Sequence, residues 1–188
     1  MAAPTLDQAP LWYLARSTGL TSFVLMTVTT AIGVAATQRR LAHPSWPRFA
    51  TQRVHRNVSL LALLFLAVHV SATILDGYVD ISWWSVVVPG ASAYRTLWVA
   101  LGTMASDLVL LVIATSLLRL RLTYRTWQRV HLTSYALWPL TWLHFLKTGT
   151  DAGGLGLVLG IGCAGVVGAA VAFRLMTDHT PSPVGSVR

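Results

Sequence analysis

The sequence predicts an all-α membrane protein, a polytopic bundle of about five transmembrane helices. Its 188 residues are 54% hydrophobic and 11% charged, whereas soluble domains carry about 25% charged residues. A helix needs roughly 20 apolar residues to cross the hydrocarbon core of a bilayer. Five stretches meet that requirement: about 12–36, 54–75, 97–118, 126–146 and 154–175. The length suits one domain, residues 1–188.

The composition also excludes other classes of protein. The single cysteine, Cys163, rules out a disulfide network and a cysteine-based metal site. A net charge of +8 and a pI of 10.8 would suggest nucleic-acid binding in a soluble chain. In a chain this apolar, positive charge instead marks the loops that face the cytoplasm. We therefore expect a lipid bilayer, and no nucleic acid, as the partner.

The distribution of basic residues predicts the orientation of the spans. Eleven of the 14 Lys and Arg residues lie on one side: Arg39, Arg40, Arg48, Arg53, Arg56, Arg119, Arg121, Arg125, Arg129, Arg174 and Arg188. That side should be cytoplasmic, which places the N-terminus outside and the C-terminus inside in a multi-pass protein of the plasma membrane. The first 15 residues contain no Lys or Arg, unlike a signal peptide, so we expect the first span to be retained as a helix.

Spans two and four carry four of the six histidines: His55 and His69 in the second, His131 and His144 in the fourth. Titratable side chains at membrane depth are costly and are functional candidates. The two spans run in the same direction, and their histidines are 14 and 13 residues apart, which is a rise of roughly 21 and 20 Å. Two levels are therefore predicted, each with one histidine from each helix.

The rotation between the histidines is less regular than their depth. On an ideal helix, 14 residues leave His55 and His69 about 40° apart, whereas 13 residues leave His131 and His144 about 140° apart. Pro139 lies between the second pair. We expect it to kink or rewind the helix there.

Two imidazoles that face each other across two helices could supply both axial ligands of a haem. The sequence has no Cys-x-x-Cys-His motif, so such a haem would be non-covalent and b-type. With both axial positions filled, it would favour electron transfer over dioxygen binding. Two alternatives stay open at this point. The histidines could be structural or relay protons, or they could bind another metal, although no carboxylate lies within reach.

Haem propionates need cationic partners near each membrane face. On the inner side, Arg56 and Arg129 lie within a turn of His55 and His131. On the outer side, Arg16 lies inside an apolar run and requires a partner, and the remaining basic residues there are Arg95 and Lys147. Near the middle of span three is a carboxylate, Asp107. It could be protonated, paired or a hydrogen-bond acceptor for an imidazole N–H.

Span five is rich in small residues at four-residue spacing: Gly156, Gly160, Ala164, Gly168 and Ala172. Such a stripe lets helix backbones approach closely in lipid. We expect it to pack within the bundle, with a homodimer seam as the alternative. The sequence shows no internal repeat.

Three segments resemble the ferric reductase-like transmembrane domain family. They are Val54–His69 (VHRNVSLLALLFLAVH), Trp127–Asp151 (WQRVHLTSYALWPLTWLHFLKTGTD) and the opening WYLARSTG of the first span. This family includes the membrane parts of NADPH oxidases and ferric reductases. It also includes the haem-binding membrane subunit of the bacterial periplasmic methionine sulfoxide reductase system. Its hallmark is two helices, each with two histidines 13 or 14 residues apart.

The resemblance implies an inner haem b held by His55 and His131 and an outer one held by His69 and His144. It implies electron transfer from a cytoplasmic or quinol donor to an acceptor at the outer face, either ferric iron or a partner redox protein. The family usually has six helices with its ligands on the third and fifth, whereas the histidines here fall on the second and fourth predicted spans, so we expect the first helix of that pattern to be absent.

The flavin- and NAD(P)H-binding domain of the oxidases and reductases is also missing, and no glycine-rich dinucleotide fingerprint occurs. We therefore expect the membrane haem subunit of an oxidoreductase, with a separate flavoprotein or quinol as its electron donor. The alternative class is a non-redox membrane protein, such as a small transporter or a packing subunit.

Overall fold

The computed structural model describes residues 9–36, 48–76, 81–149 and 154–178, and within these ranges it contains helices and turns but no β-strand. The helices are α1 (Ala9–Ala36), α2 (Arg48–Leu75), α3 (Thr96–Leu117), α4 (Tyr124–Leu132), α5 (Ser134–Thr148) and α6 (Leu155–Asp178). Four contain segments long and apolar enough to cross a membrane: Pro10–Ala36, Phe49–Leu75, Thr96–Leu117 and Leu155–Met176. The predicted all-α, multi-pass membrane class is therefore confirmed. The orientation stays a prediction.

The fourth predicted span is divided into α4 and α5 at Thr133. Around this residue two hydrogen bonds span three residues instead of four, from Thr133 N to Val130 O (3.0 Å) and from Ala136 N to Thr133 O (2.9 Å). Pro139 lies inside α5 and does not end it. The change in hydrogen bonding thus lies six residues before Pro139, and a kink at Pro139 itself stays a prediction.

This tight turn changes the rotation between His131 and His144. A 3-10 turn advances about 120° per residue and an α-helix about 100°. Each residue in 3-10 geometry therefore adds about 20° to the rotation, and the tight turn at Thr133 reduces the ideal separation of about 140° between the two histidines. Thirteen residues can therefore present two histidines to one neighbour.

Helix α1 occupies the centre of the bundle: it packs most extensively against α2 and also contacts α5 and α6, while α3 packs against α5. Four helices meet in one core, to which α1, α2, α3 and α5 each contribute one residue: Met26, Ala62, Val109 and Leu137. Phe23 of α1 is 2% exposed, and its ring stacks on Phe145 of α5 at 4.6 Å between centroids. This packing fixes α1 and α2 relative to α5.

Helix α6 uses part of its small-residue stripe inside the bundle. The carbonyl of Gly160 accepts a hydrogen bond from Trp142 Nε1 at 2.9 Å, and a Cβ on Gly160 would lie 2.8 Å from Leu146 Cδ2. Gly168 faces open space among the described residues. The close approach is therefore made at Gly160, whereas the homodimer seam stays a prediction.

A turn that contains a short 3-10 helix, Trp83–Val86, precedes α3 at the predicted outer end of the bundle. The carbonyl of Ser85 accepts a hydrogen bond from Thr103 Oγ1 at 2.6 Å, which fixes the turn to α3. Trp83 is 71% exposed, and its neighbour Trp84 is exposed to a similar degree. This is the position in which interfacial tryptophans contact lipid head groups.

Candidate functional site

The four histidines of spans two and four come together as two pairs. The ring centroids of His55 and His131 are 6.2 Å apart and their planes cross at 62°. Those of His69 and His144 are 6.5 Å apart and cross at 79°. We call these the inner pair and the outer pair, after the predicted orientation. Each pair joins α2 to the α4–α5 unit at one of the two predicted levels.

The spacing within each pair fits one metal centre held between two imidazoles. A metal–imidazole bond is about 2.0–2.1 Å long and the ring centroid lies about 1.1 Å beyond the nitrogen, so two opposed ligands have centroids about 6.3 Å apart. Both measured separations are within 0.2 Å of this value. Among the described residues, no group of three or more His, Cys, Asp or Glu side chains could hold a bare metal ion.

Backbone carbonyls orient the rings of the outer pair. His69 Nδ1 lies 2.7 Å from the carbonyl oxygen of Ala15, and His144 Nδ1 lies 2.8 Å from that of Trp98. Because a carbonyl only accepts, each Nδ1 must carry the proton and donate it. The lone pair of each neutral ring is then on Nε2. This is the tautomer in which metal-ligating histidines are usually held.

A cavity of about 500 Å³ surrounds the outer pair. Phe23, Met26 and Leu66 give it an apolar floor, and its polar lining includes Arg16, Asp76 and Tyr94. Of the outer basic residues predicted from the sequence, Arg16 lines this cavity, and its guanidinium lies 4.5 Å from the centroid of the Trp12 ring. The cavity is therefore mainly apolar, and its wall carries a cation, Arg16, and a carboxylate, Asp76.

Arg95 and Lys147 do not line the outer cavity. The guanidinium of Arg95 instead donates a hydrogen bond to the carbonyl of Lys147, which ties the start of α3 to the end of α5. The ammonium of Lys147 lies 5.4 Å from the centroid of the Trp98 ring. Both cations therefore have structural contacts at the helix ends.

The inner pair is held differently. Nδ1 of His55 and of His131 is buried and makes no hydrogen bond with a described residue. The backbone of Thr29 faces His55 but lies outside hydrogen-bond geometry. His131 stacks on Trp127 with ring centroids 5.0 Å apart and planes at 23°. A buried ring nitrogen without a hydrogen bond is costly, and in the described part of the chain both histidines of the inner pair have one.

In the described part of the structure, the other residues predicted from the sequence form no hydrogen bond with the four histidine rings. Arg56 and Arg129 are exposed beside His55 and His131, so their role stays a prediction. Asp107 is half-buried in α3, and no hydrogen bond joins it to any of the four histidines. Asp76, which the sequence analysis did not single out, is 7% exposed and lies in the wall of the outer cavity.

The sequence does contain a further signal that the sequence analysis missed. Three of the histidines have Ser or Thr four residues later, and each hydroxyl donates to the carbonyl of its histidine: Ser59 to His55 at 2.7 Å, Thr73 to His69 at 2.7 Å and Thr148 to His144 at 2.6 Å. Such bonds bend a helix slightly. Four residues after His131 the chain has Tyr135 instead, and its hydroxyl accepts a hydrogen bond from Arg174 Nη1 at 2.7 Å.

Comparison with known proteins agrees with this geometry. Residues 18–142, about two thirds of the chain, match the family model described as "Ferric reductase like transmembrane component". The match includes His55, His69 and His131 and ends two residues before His144. No curated protein and no solved structure gives a significant match. Because the family match covers more than half of the sequence, the chain belongs to the ferric reductase-like transmembrane family.

Proposed function

We propose that this protein carries electrons across the plasma membrane through two non-covalent b haems, one held by His55 and His131 and the other by His69 and His144. Membership of the family supports a membrane redox role. The observation that supports the finer proposal is the presence of two facing histidine pairs at two levels of the same helices. The ring centroids are 6.2 Å apart in one pair and 6.5 Å apart in the other. A bound haem would supply a one-electron redox centre whose potential depends on its axial ligands, burial and nearby charge.

The residues of this chain would perform four tasks. The four histidines would hold the two haems, and the carbonyls of Ala15 and Trp98 would keep the outer pair in the required tautomer. Phe23 and Phe145 line the outer cavity and would give the outer haem an apolar surface to pack against. Arg16 would neutralise a propionate of the outer haem, and the exposed Arg56 and Arg129 would do so for the inner one.

The partners follow from the two ends of this path. The donor would be a separate flavoprotein at the cytoplasmic side or a quinol in the membrane. The acceptor would be ferric iron or a redox protein at the outer face. The outer cavity, whose polar lining includes Arg16 and Tyr94, is the part of the path that such an acceptor would approach.

A reduced-minus-oxidised absorption spectrum tests the proposal. The protein is purified in detergent after expression with added haem, and haem is quantified against protein. We expect a b-type spectrum and two haems per chain. A protein that folds but contains no haem would contradict the redox proposal and favour a transporter or packing subunit with structural or proton-relay histidines.

Trp127→Leu is expected to affect the inner haem alone. Trp127 supports His131 by stacking at 5.0 Å, and its Nε1 donates to Ser116 Oγ at 3.3 Å. Aromatic pairs contribute about 0.5–1.5 kcal/mol, so roughly two- to tenfold weaker haem retention at the inner site follows. Redox titration with separate assignment of the two haems measures the effect. Trp127→Phe should keep most of the wild-type haem retention because it keeps an aromatic ring, and Trp83→Leu, at an exposed position, is the control. An unchanged inner haem in Trp127→Leu would show that the stack does not support the ligand.

A further inference from the structure

Three of the four histidines lie directly against a glycine of the neighbouring helix. A Cβ placed on Gly19 of α1 would lie 2.7 Å from Nδ1 of His69, and one on Gly102 of α3 would lie 2.6 Å from Nδ1 of His144. A Cβ on Gly33 of α1 would lie 3.3 Å from Cε1 of His55. Real Cβ atoms essentially never come within 3.0 Å of another heavy atom. Any other residue at position 19 or 102 would therefore displace the imidazole.

Each of these glycines also follows a backbone carbonyl that faces the same ring. Ala15, four residues before Gly19, accepts the N–H of His69, and Trp98, four residues before Gly102, accepts that of His144. Thr29, four residues before Gly33, is the residue whose backbone faces His55. The combination of a hydrogen-bonded carbonyl and a glycine one turn later thus occurs at His69 and His144, and at His55 the glycine is present without the hydrogen bond.

The spacing of the unit along α1 matches the spacing of the histidines. Gly19 and Gly33 are 14 residues apart, as are His55 and His69. Since α1 contacts His69 near its own start and His55 near its own end, the two helices run antiparallel and one straight helix serves both levels. Helix α3 repeats the arrangement for His144 although the sequence shows no internal repeat.

We infer that Gly19, Gly33 and Gly102 are positioning residues for three of the four axial histidines. This inference rests on the proposed function. Without a side chain at these positions the imidazole can lie against the backbone, and at Gly19 and Gly102 its Nδ1 then reaches the carbonyl one turn earlier. We expect an added methyl group to move the ring away from this place and to change the centroid separation of 6.2 or 6.5 Å within its pair. His131 is the exception, because Trp127 supports it instead.

The test compares Gly19→Ala, Gly102→Ala and Gly33→Ala with Gly165→Ala on α6, where a Cβ meets nothing within 4 Å among the described residues. Alanine has the higher helix propensity at all four positions, so a loss cannot come from weaker helix formation. The readouts are haem content, the EPR spectrum of each oxidised haem and its midpoint potential.

We expect Gly19→Ala and Gly102→Ala to lower retention of the outer haem at least tenfold, or to shift its EPR signal and potential, while the inner haem is retained and reports that the protein is folded. Gly33→Ala, with the looser contact, should shift the EPR signal and potential of the inner haem without removing it, and Gly165→Ala should match the wild type.

An outer haem with wild-type spectrum and potential in both outer variants would overturn the inference, as would equal loss of both haems. If Gly19→Ala and Gly102→Ala fail to fold, a wild-type inner haem in Gly33→Ala overturns it. A wild-type protein without haem would instead contradict the proposed function.

Discussion

His69→Ala should purify with one haem, His131→Ala with one haem, and the double variant with none. The two pairs share no ring: His69 faces His144, and His131 faces His55. In the proposed function each histidine would provide one of the two ligands at its level, so removal of one imidazole would leave a haem there with a single protein ligand. The other level, about 14 residues along α2 and roughly 21 Å away, keeps both of its ligands.

The measurement is haem content per chain together with the EPR signals of the two oxidised haems. The haem that His69→Ala loses should be the one that His131→Ala retains. His43→Ala is the control, because the sequence places His43 outside the predicted spans and it lies outside the described residues. If the two single variants lose the same haem, the pairing by depth is wrong.

Phe23→Ala should produce the largest loss of stability among the variants considered. Its side chain is 2% exposed and stacks on Phe145 with ring centroids 4.6 Å apart and planes at 15°. The centroid of the Trp138 ring lies 6.5 Å from that of the Phe23 ring. Truncation of a buried Phe to Ala costs about 3–5 kcal/mol in soluble proteins. In lipid the loss comes mainly from packing, and we expect about 3 kcal/mol here.

Equilibrium unfolding in detergent micelles measures this change, with Val28→Ala as the matched control on the same helix. Val28 is 40% exposed, so its truncation should change the free energy of unfolding by no more than about 0.5 kcal/mol. Because Phe23 also lines the outer cavity, the variant should retain less of the outer haem. Equal stabilities of the two variants would contradict the central position of Phe23.

The sequence predicts the helices and the two histidine levels well, because both depend on properties that add up along one chain. Apolar length determines which segments can cross a bilayer, and rise per residue determines the depth of each histidine. The rotation of His131 relative to His144 depends instead on local winding. It could not be predicted, because nothing in the sequence marks Thr133 as the residue at which the hydrogen bonding changes.

The surroundings of the histidines were harder to predict, because they come from other helices. Gly19 ends the WYLARSTG segment and Gly102 lies within span three, but neither is recognisable as a contact of a histidine until the neighbouring helices are known. The role of Arg95 also depends on contacts that the sequence does not show. Charge alone made it a candidate for a propionate, whereas the structure places its guanidinium on the carbonyl of Lys147. Conversely, the Ser or Thr four residues after His55, His69 and His144 could have been found by inspection.

Helix α1 contributes no candidate ligand, yet its backbone faces both histidines of α2, at Thr29 and Gly33 and again at Ala15 and Gly19. The two contacts are 14 residues apart on α1, and the two histidines are 14 residues apart on α2, so both contacts form at one axial alignment of the two helices. An axial slip of one residue would shift both contacts by about 1.5 Å at once. The alignment of these two helices therefore links the positions of the inner and outer histidine pairs, so that a displacement at one pair would be transmitted to the other.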